Sequence, residues 1–148
     1  QKYKDYLNFS NKKITKDFSQ LNKYEVTEKG SKVAVIGLGT FYNMGCEVAK
    51  AVEEKTGTKA TVINPYYITG IDEVLLEDLK KDHDVVITLE DGFLEGGFGE
   101  KIARFYGNSD MKVFNYGVKK ELLDRYDVTE LLEKNHLTVQ QIVGDLKF

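Results

Sequence analysis

The residues with the most chemical potential in this sequence fall in one short stretch, residues 90–99, called here the 90–99 segment. It combines three carboxylates with four glycines. Its candidate site residues are Glu90, Asp91, Gly92, Glu95, Gly96, Gly97, Phe98 and Gly99. Glycines ahead of a helix leave backbone N–H groups that can bind an anion, and they also allow close approach of another chain. The residues alone leave three interpretations open: a phosphate site, a subunit interface or a structural turn.

The 90–99 segment directly follows a predicted strand. Residues 84–89 form a β-branched apolar run, which is typical of a strand covered on both faces. In open α/β sheets, ligands and partners dock at the carboxyl ends of such strands. We therefore expect the segment to lie at the edge of the sheet where binding usually occurs.

A second glycine pair, in Gly37-Leu38-Gly39, invites comparison with dinucleotide-binding loops. That fingerprint needs a small residue three positions after Gly39, and Tyr42 stands there. It also needs an acidic residue after the second strand, where this chain has Asn64-Pro65. The sequence lacks a P-loop as well, because no Gly-Lys-Ser/Thr triplet occurs. We interpret the pair as a tight strand-to-helix turn.

The remaining candidate nucleophiles and ligands form no convincing site. Cys46 lies on a helix face rich in small residues, so we expect a buried small hydrophobe rather than a reactive thiol. His83 and His136 are not accompanied by paired cysteines or by carboxylates at metal-ligand spacing, so they predict no metal site. We expect both to be surface or capping histidines. The sequence thus predicts no catalytic, cofactor-binding or metal residue in this chain.

Strands and helices alternate around these candidates. Predicted strands cover residues 32–37, 60–63, 84–89 and 112–116; predicted helices cover 44–52, 75–79, 102–106 and 139–146, with helical turns near 119–125 and 129–134. Asp72 and Thr138 are predicted N-caps, and Gly57 is predicted to end a helix. This spacing predicts parallel βαβ units with right-handed crossovers. The fold class is therefore α/β, a three-layer α/β/α sandwich with a mostly parallel sheet.

Composition sets the broad class of the protein. The 148 residues suffice for one domain, which we place at residues 25–148, with residues 1–24 as an aromatic-rich linker. The net charge of −3 argues against a nucleic-acid partner, and no apolar run is long enough to span a membrane. A single cysteine and the lack of an apolar leader favour the cytoplasm.

Four motifs in order resemble a known family. They are residues 30–40 (GSKVAVIGLGT), 62–65 (VINP), 82–92 (DHDVVITLEDG) and 96–99 (GGFG). Together they resemble the C-terminal domain of transketolase-like thiamine-diphosphate enzymes, and are most similar to the 1-deoxy-D-xylulose-5-phosphate synthase branch. The resemblance covers roughly residues 23–146.

The resemblance implies an assembly role rather than a catalytic one. In such enzymes other domains hold thiamine diphosphate and Mg²⁺ through a Gly-Asp-Gly motif, which this chain lacks. The intact enzyme would condense pyruvate with glyceraldehyde 3-phosphate with loss of CO₂, for isoprenoid precursor synthesis. This chain would pack on the preceding domains of the same polypeptide and help to form a homodimer, with the 90–99 segment facing inward. Alone, it is expected to be inactive.

Two alternatives remain open at this stage. One is the terminal domain of a 2-oxo acid dehydrogenase E1β-type component, which shares this domain. The other is a free-standing module that binds anions through the amides of residues 96–99. Because the chain starts with Gln1 and lacks the catalytic motifs, we expect it to be a piece of a larger enzyme.

Overall fold

A computed structural model describes residues 23–66, 70–93, 97–118, 132–134 and 136–146. The strands are β1 (Glu25–Glu28), β2 (Lys32–Gly37), β3 (Thr61–Asn64), β4 (His83–Phe93) and β5 (Lys112–Val118). The helices are α1 (Tyr42–Thr56), α2 (Glu73–Leu79), α3 (Phe98–Tyr106) and α4 (Val139–Asp145), with a 3₁₀ turn at Gly39–Phe41 before α1. Of the other predicted helical turns, 119–125 lies outside the described residues, whereas 132–134 is helical.

The five strands form one sheet in the order β1-β3-β2-β4-β5. β2, β3, β4 and β5 run parallel, and β1 pairs antiparallel with β3. The chain moves from β2 outward to β3 and then crosses to β4 on the other side of β2. This reversal is the topological switch point of a doubly wound sheet. The predicted α/β fold with a mostly parallel sheet is confirmed.

Helices cover both faces of the sheet, which explains why the central strands are apolar at successive positions. Val33 and Val35 face the layer of α1 and α4. Ala34 and Ile36 face the layer of α2 and α3. All four side chains are essentially inaccessible to solvent. Successive side chains of β2 therefore pack alternately into two separate cores, as expected for a three-layer sandwich.

β1 is an element that the sequence did not predict. All four of its side chains are exposed, so its residues show no apolar alternation. Just before it, Tyr24 is only 8% exposed and its ring lies 6.0 Å from that of Phe98. The Tyr24 hydroxyl donates to the carbonyl of Gly70 at 3.1 Å. The chain thus joins the second core immediately before β1.

The predicted helix ends are confirmed where local signals define them. Asp72 accepts a hydrogen bond from the N–H of Leu75, and Thr138 forms a capping box with Gln141. Gly57 has a φ of 74°, the left-handed conformation in which glycine ends a helix without steric strain. α2 ends at Leu79, and Lys80 occupies its C-cap position.

Candidate functional site

Glu90 lies at the carboxyl edge of the sheet, where β4 extends past the end of β2. Leu89 pairs with Gly37, the last residue of β2, so Glu90 is the first β4 residue beyond the end of β2. Its side chain points to the layer of α3 and is only 2% exposed. A buried carboxylate needs hydrogen-bond partners to offset its lost hydration.

The partners of Glu90 are the first N–H groups of α3. The helix begins at Phe98, and Gly97 at its N-cap position has no side chain to satisfy those groups. Oε1 of Glu90 accepts from the N–H of Phe98 at 3.2 Å, and Oε2 accepts from the N–H of Gly99 at 2.6 Å. Both oxygens are acceptors, as in an ionised carboxylate, and negative charge is favoured at a helix N-terminus. Glu90 is therefore a helix cap supplied by the neighbouring strand.

Gly99 is required by the close approach of α3 to the sheet. A Cβ atom at this position would lie 2.6 Å from Oγ1 of Thr88 and 2.7 Å from Oδ1 of Asn115. These two groups belong to adjacent strands, and the Thr88 hydroxyl donates to Oδ1 of Asn115 at 2.6 Å. Only a glycine lets the helix rest on this polar pair, which in turn places the α3 amides within reach of Glu90.

The structure brings together only part of the predicted 90–99 segment. Glu90, Phe98 and Gly99 form the cap, and Gly97 is its N-cap residue. The backbone of Asp91 and Gly92 continues β4, whereas Glu95 and Gly96 lie outside the described residues. Two amides that the anion-binding alternative requires are thus already engaged by a carboxylate of this chain.

The Gly37-Leu38-Gly39 stretch forms the tight turn expected from its sequence. A Cβ atom on Gly37 would lie 2.8 Å from the Cα of Tyr42, and Gly39 has a left-handed φ of 63°. The N–H of Leu38 donates to the carbonyl of Leu89 at 2.8 Å. The turn therefore bonds to β4 at Leu89, next to Glu90.

His83 corrects our expectation of a surface or capping histidine, because it is only 7% exposed. Its Nε2 lies 2.7 Å from Oγ1 of Thr61, and its Nδ1 lies 2.6 Å from Oδ1 of Asp82. Oγ1 of Thr61 also accepts from the N–H of Gly30 at 3.0 Å. We call Gly30, Thr61, Asp82 and His83 the amino-edge network, because it joins the starts of β3 and β4 across β2. Thr61 is 2% exposed, so its hydroxyl is not placed to attack a substrate.

His136 has the surface position that we expected. Its side chain is 50% exposed, and its Nε2 lies 2.9 Å from Oδ2 of Asp145. The same oxygen accepts from the Tyr116 hydroxyl at 2.6 Å. Burial, followed by this hydrogen bond, raises the pKa of Tyr116 above its ordinary value. The bond between Tyr116 and Asp145 joins β5 to α4, and His136 adds a half-exposed contact to the same carboxylate.

Cys46 is less buried than we expected. It is half-buried and packs against the first core, one position away from Gly45 in the buried stripe of α1. A thiol at the flank of the stripe contributes packing to the core without being enclosed by it. The stripe itself passes through Gly45, Val48, Ala49 and Val52.

A cleft of about 620 Å³ opens beside the amino ends of the strands. Its lining mixes the carboxylates of Asp84, Asp110 and Asp145 with the amines of Lys32 and Lys112. Opposite charges distributed in this way favour no single ligand class. The cleft therefore adds no candidate to the residues already described.

Tyr66 is a feature of the carboxyl edge that the sequence did not reveal. It follows β3 by two residues, is 56% exposed, and has a left-handed φ of 58°. Its N–H donates to Oδ1 of Asn64 at 3.1 Å, and its hydroxyl donates to Oε2 of Glu25. The bond to Glu25 raises the pKa of Tyr66. The Asn-Pro-Tyr sequence is the local signal, because an Asn side chain readily bonds the N–H two residues later.

Neither a metal centre nor a membrane span emerges from the described residues. Within them, no group of three or more His, Cys, Asp and Glu side chains is arranged to hold a metal ion. In the same part of the chain, no helix has the length and apolar character needed to cross a bilayer.

Comparison with known proteins gives the family. Residues 22–142 match the model of the transketolase C-terminal domain. The chain belongs to the transketolase C-terminal domain family. Among curated relatives, it is 32% identical over 143 residues to 1-deoxy-D-xylulose-5-phosphate synthase of Alkaliphilus oremlandii, covering 93% of this chain and 23% of the relative. It is 28% identical over 131 residues to the synthase of Francisella tularensis subsp. novicida, covering 86% of this chain and 20% of that protein.

Solved structures lead to the same family. A split-gene transketolase, determined as an inactive β4 tetramer, is 27% identical with a TM-score of 0.71, over 83% of this chain and 39% of that chain. Transketolase of Campylobacter jejuni, at 16% identity and a TM-score of 0.53 over 84% of this chain and 18% of its own, shares the fold. This transketolase C-terminal domain thus spans about a fifth of the length of the curated relatives that it matches.

Proposed function

We propose that this transketolase C-terminal domain is a non-catalytic assembly domain of a thiamine-diphosphate-dependent transferase resembling 1-deoxy-D-xylulose-5-phosphate synthase. The intact enzyme would condense pyruvate with glyceraldehyde 3-phosphate with loss of CO₂, in isoprenoid precursor synthesis. It would act as a cytoplasmic homodimer. Within it, this domain would pack on the preceding domains with the 90–99 segment facing inward.

The cap that Glu90 forms on α3 is the observation that carries this proposal. A glycine-rich turn before a helix is a common place to bind a phosphate group. Here the N–H groups of Phe98 and Gly99 donate to Glu90, so these two amides stabilise the fold and are not available to a phosphate. The cap thus fixes the start of α3 against β4 at the carboxyl edge, where the assembly contact is proposed.

The donor groups of the described residues do not fit the cofactor. Thiamine diphosphate with Mg²⁺ needs oxygen ligands for the metal and N–H donors or cations for the diphosphate. No suitable metal-ligand cluster occurs in the described part of the chain, and the N-terminal amides of α3 are engaged by Glu90. We therefore assign cofactor binding to other domains of the intact enzyme and derive no catalytic step from this chain.

A transketolase reaction is the second candidate for the intact enzyme. It is favoured by the TM-score of 0.71 to the split-gene transketolase, in which a similar domain makes up 39% of a separate chain. Synthase and transketolase differ in the substrates handled by other domains, so this chain would have the same assembly role in either.

Domain complementation tests the proposal. The synthase of Alkaliphilus oremlandii is truncated to remove the region that matches this chain, and the chain is then added in trans. We expect binding and recovery of pyruvate condensation, whereas the chain alone should neither turn over substrate nor bind thiamine diphosphate with Mg²⁺ in calorimetry. Micromolar cofactor binding by the chain alone, or no binding to the truncated synthase, would overturn the assembly role.

A second assay separates the two candidate reactions. The complemented enzyme is offered pyruvate with glyceraldehyde 3-phosphate, and a parallel sample of truncated split-gene transketolase with added chain is offered a ketose phosphate donor. Recovery only in the synthase sample supports the first candidate. Recovery only in the transketolase sample supports the second.

A further inference from the structure

Tyr66 is held in one orientation although it contributes little to the core. More than half of its surface is exposed, at 56%. Its φ of 58° lies in the left-handed region, which is strained for a residue with a Cβ atom. Strain of this kind persists only where surrounding contacts fix the conformation, and fixed exposed aromatic residues are common at binding surfaces.

Two hydrogen bonds from different strands fix this conformation. The backbone N–H of Tyr66 donates to the Asn64 side chain, and its hydroxyl donates to Glu25 on the antiparallel strand β1. Tyr66 is thus held at its backbone and at its hydroxyl before any partner binds. Ordering a side chain on binding reduces affinity, so an aromatic that is already ordered makes an efficient anchor.

The position of Tyr66 connects it to the 90–99 segment. Tyr66 follows the carboxyl end of β3, and Glu90 follows the level at which β2 ends. Only β2 separates β3 from β4, so the backbones of these two strands lie about two strand spacings apart, on the order of 10 Å. A typical interface buries about 800 Å² on each partner, which is enough to cover both.

A second aromatic residue widens the same surface. Tyr42, the first residue of α1, is half-buried at this edge, and its hydroxyl donates to Oγ1 of Thr27 at 2.8 Å. Like Tyr66, it is therefore tied to β1. The edge presents two tyrosine rings, each held by a hydrogen bond to the antiparallel strand.

We infer that Tyr66 is an anchor residue through which this domain docks on the remaining part of a transketolase-type polypeptide. The inference rests on the proposed assembly function and adds the residue that carries the contact. The curated relatives are about five times longer than the matched region, so the greater part of such a polypeptide lies outside this chain. The carboxyl edge, with a fixed aromatic on the same edge as Glu90 and the start of α3, is the surface that fits it.

Binding of the chain to the truncated Alkaliphilus oremlandii synthase provides the test. Tyr66→Ser removes the ring, Tyr66→Phe keeps the ring but loses the bond to Glu25, and Val74→Ser removes a comparably apolar side chain from α2. Val74 is 84% exposed and lies in the first turn of α2, so it controls for the loss of any exposed apolar side chain. Thermal unfolding of each variant shows whether any change in binding comes from folding.

We expect Tyr66→Ser to weaken binding at least tenfold, Tyr66→Phe to weaken it a few-fold, and Val74→Ser to leave it unchanged. The melting temperature should stay within a degree or two, because Tyr66 buries little surface in the isolated chain. Binding of Tyr66→Ser within twofold of the wild type, or an equal loss in Val74→Ser, would overturn the anchor role while leaving the assembly function standing. No binding by the wild type would instead overturn the assembly function.

Sedimentation of the full chain tests the competing occupant, a second copy. The anchor role predicts the same sedimentation behaviour for wild type and Tyr66→Ser in the absence of the synthase. Self-association that Tyr66→Ser abolishes would overturn our assignment of the partner.

Discussion

The two ends of the parallel strands use their polar side chains differently. At the amino ends, the amino-edge network of Gly30, Thr61, Asp82 and His83 bonds strand starts to one another. At the carboxyl ends, Glu90 caps a helix and Glu25 braces an exposed tyrosine. The amino edge thus has a buried network, whereas the carboxyl edge combines a buried helix cap with an exposed tyrosine.

This difference separates stability from assembly. A buried polar group whose partners belong to the same core contributes mainly to the free energy of unfolding. An exposed group held in place contributes mainly to binding, because the isolated domain gains little from it. Substitutions of buried and of exposed groups should therefore move different observables, and the variants below test this contrast.

Gly30→Ala should give the largest effect, at the amino edge. The added Cβ would lie 2.0 Å from the carbonyl oxygen of Lys59, so the backbone between β1 and β2 must shift. We expect the free energy of unfolding to fall by about 3 kcal/mol in urea denaturation. Gly144→Ala is the control, because a Cβ there meets nothing within 4 Å, and it should stabilise α4 by about 0.5 kcal/mol. Equal effects would show that the crowding at Gly30 is relieved without cost.

His83→Ala, also at the amino edge, should cause the next largest loss of stability. It removes the bonds to Thr61 and Asp82 and leaves a cavity, so we expect a loss of about 2 kcal/mol. His136→Ala is the matched variant, because it also removes a histidine–aspartate pair but from a half-exposed site. Its loss should be about 0.5 kcal/mol. If the two losses are alike, burial is not what distinguishes the network.

Glu90→Gln sharpens the contrast, because this buried residue lies at the carboxyl edge. A glutamine keeps one acceptor oxygen but turns an NH₂ group toward a helix N–H, which leaves a donor unsatisfied. We expect about 1.5 kcal/mol less stability by urea denaturation. Glu73→Gln, an exposed acid in the first turn of α2, should lose only about 0.3 kcal/mol. A neutral Glu90→Gln would mean that the cap does not stabilise α3.

The smallest effect concerns the titration of two tyrosines. The pKa of Tyr66 is raised chiefly by its bond to Glu25, whereas burial raises the pKa of Tyr106. In ¹³C-tyrosine NMR, Glu25→Gln should return the pKa of Tyr66 toward its ordinary value of about 10 and leave that of Tyr106 unchanged. A shift at Tyr106 of the same size would contradict a local cause.

Burial of Tyr106 also sets the sign of the alkaline response. Its folded pKa lies above that of the unfolded chain, so the unfolded state loses its proton first as the pH rises. Stability is then fully present below about pH 10 and falls above it. Tyr106→Phe should make the free energy of unfolding fall less steeply over that range, which denaturation at successive pH values would measure.

Features encoded by neighbouring residues were predictable from the sequence. The caps at Asp72 and Thr138 and the helix end at Gly57 each depend on residues within one turn. The central strands are continuous β-branched runs, so their presence and parallel order followed directly. β1 escaped prediction because its exposed residues have no apolar period.

Contacts that depend on register could not be predicted. His83 reaches Thr61 across β2, so its burial depends on how three strands align. Glu90 lies eight residues before the helix that it caps, beyond the range of known capping patterns. The 90–99 segment was predicted as a candidate site from its residues. Only the fold shows that Glu90 caps α3 and that Gly99 allows α3 to approach the sheet. Its inward-facing role in an assembly stays a prediction.

The cap supplied by a strand also has a consequence for the folding order. A helix with its own N-cap side chain can form its first turn in isolation, but α3 has glycine at that position. Its first N–H groups gain their partner only when the end of β4 is in place. We therefore expect β4 and α3 to gain protection from hydrogen exchange in a single cooperative step, with α3 absent from early folding intermediates.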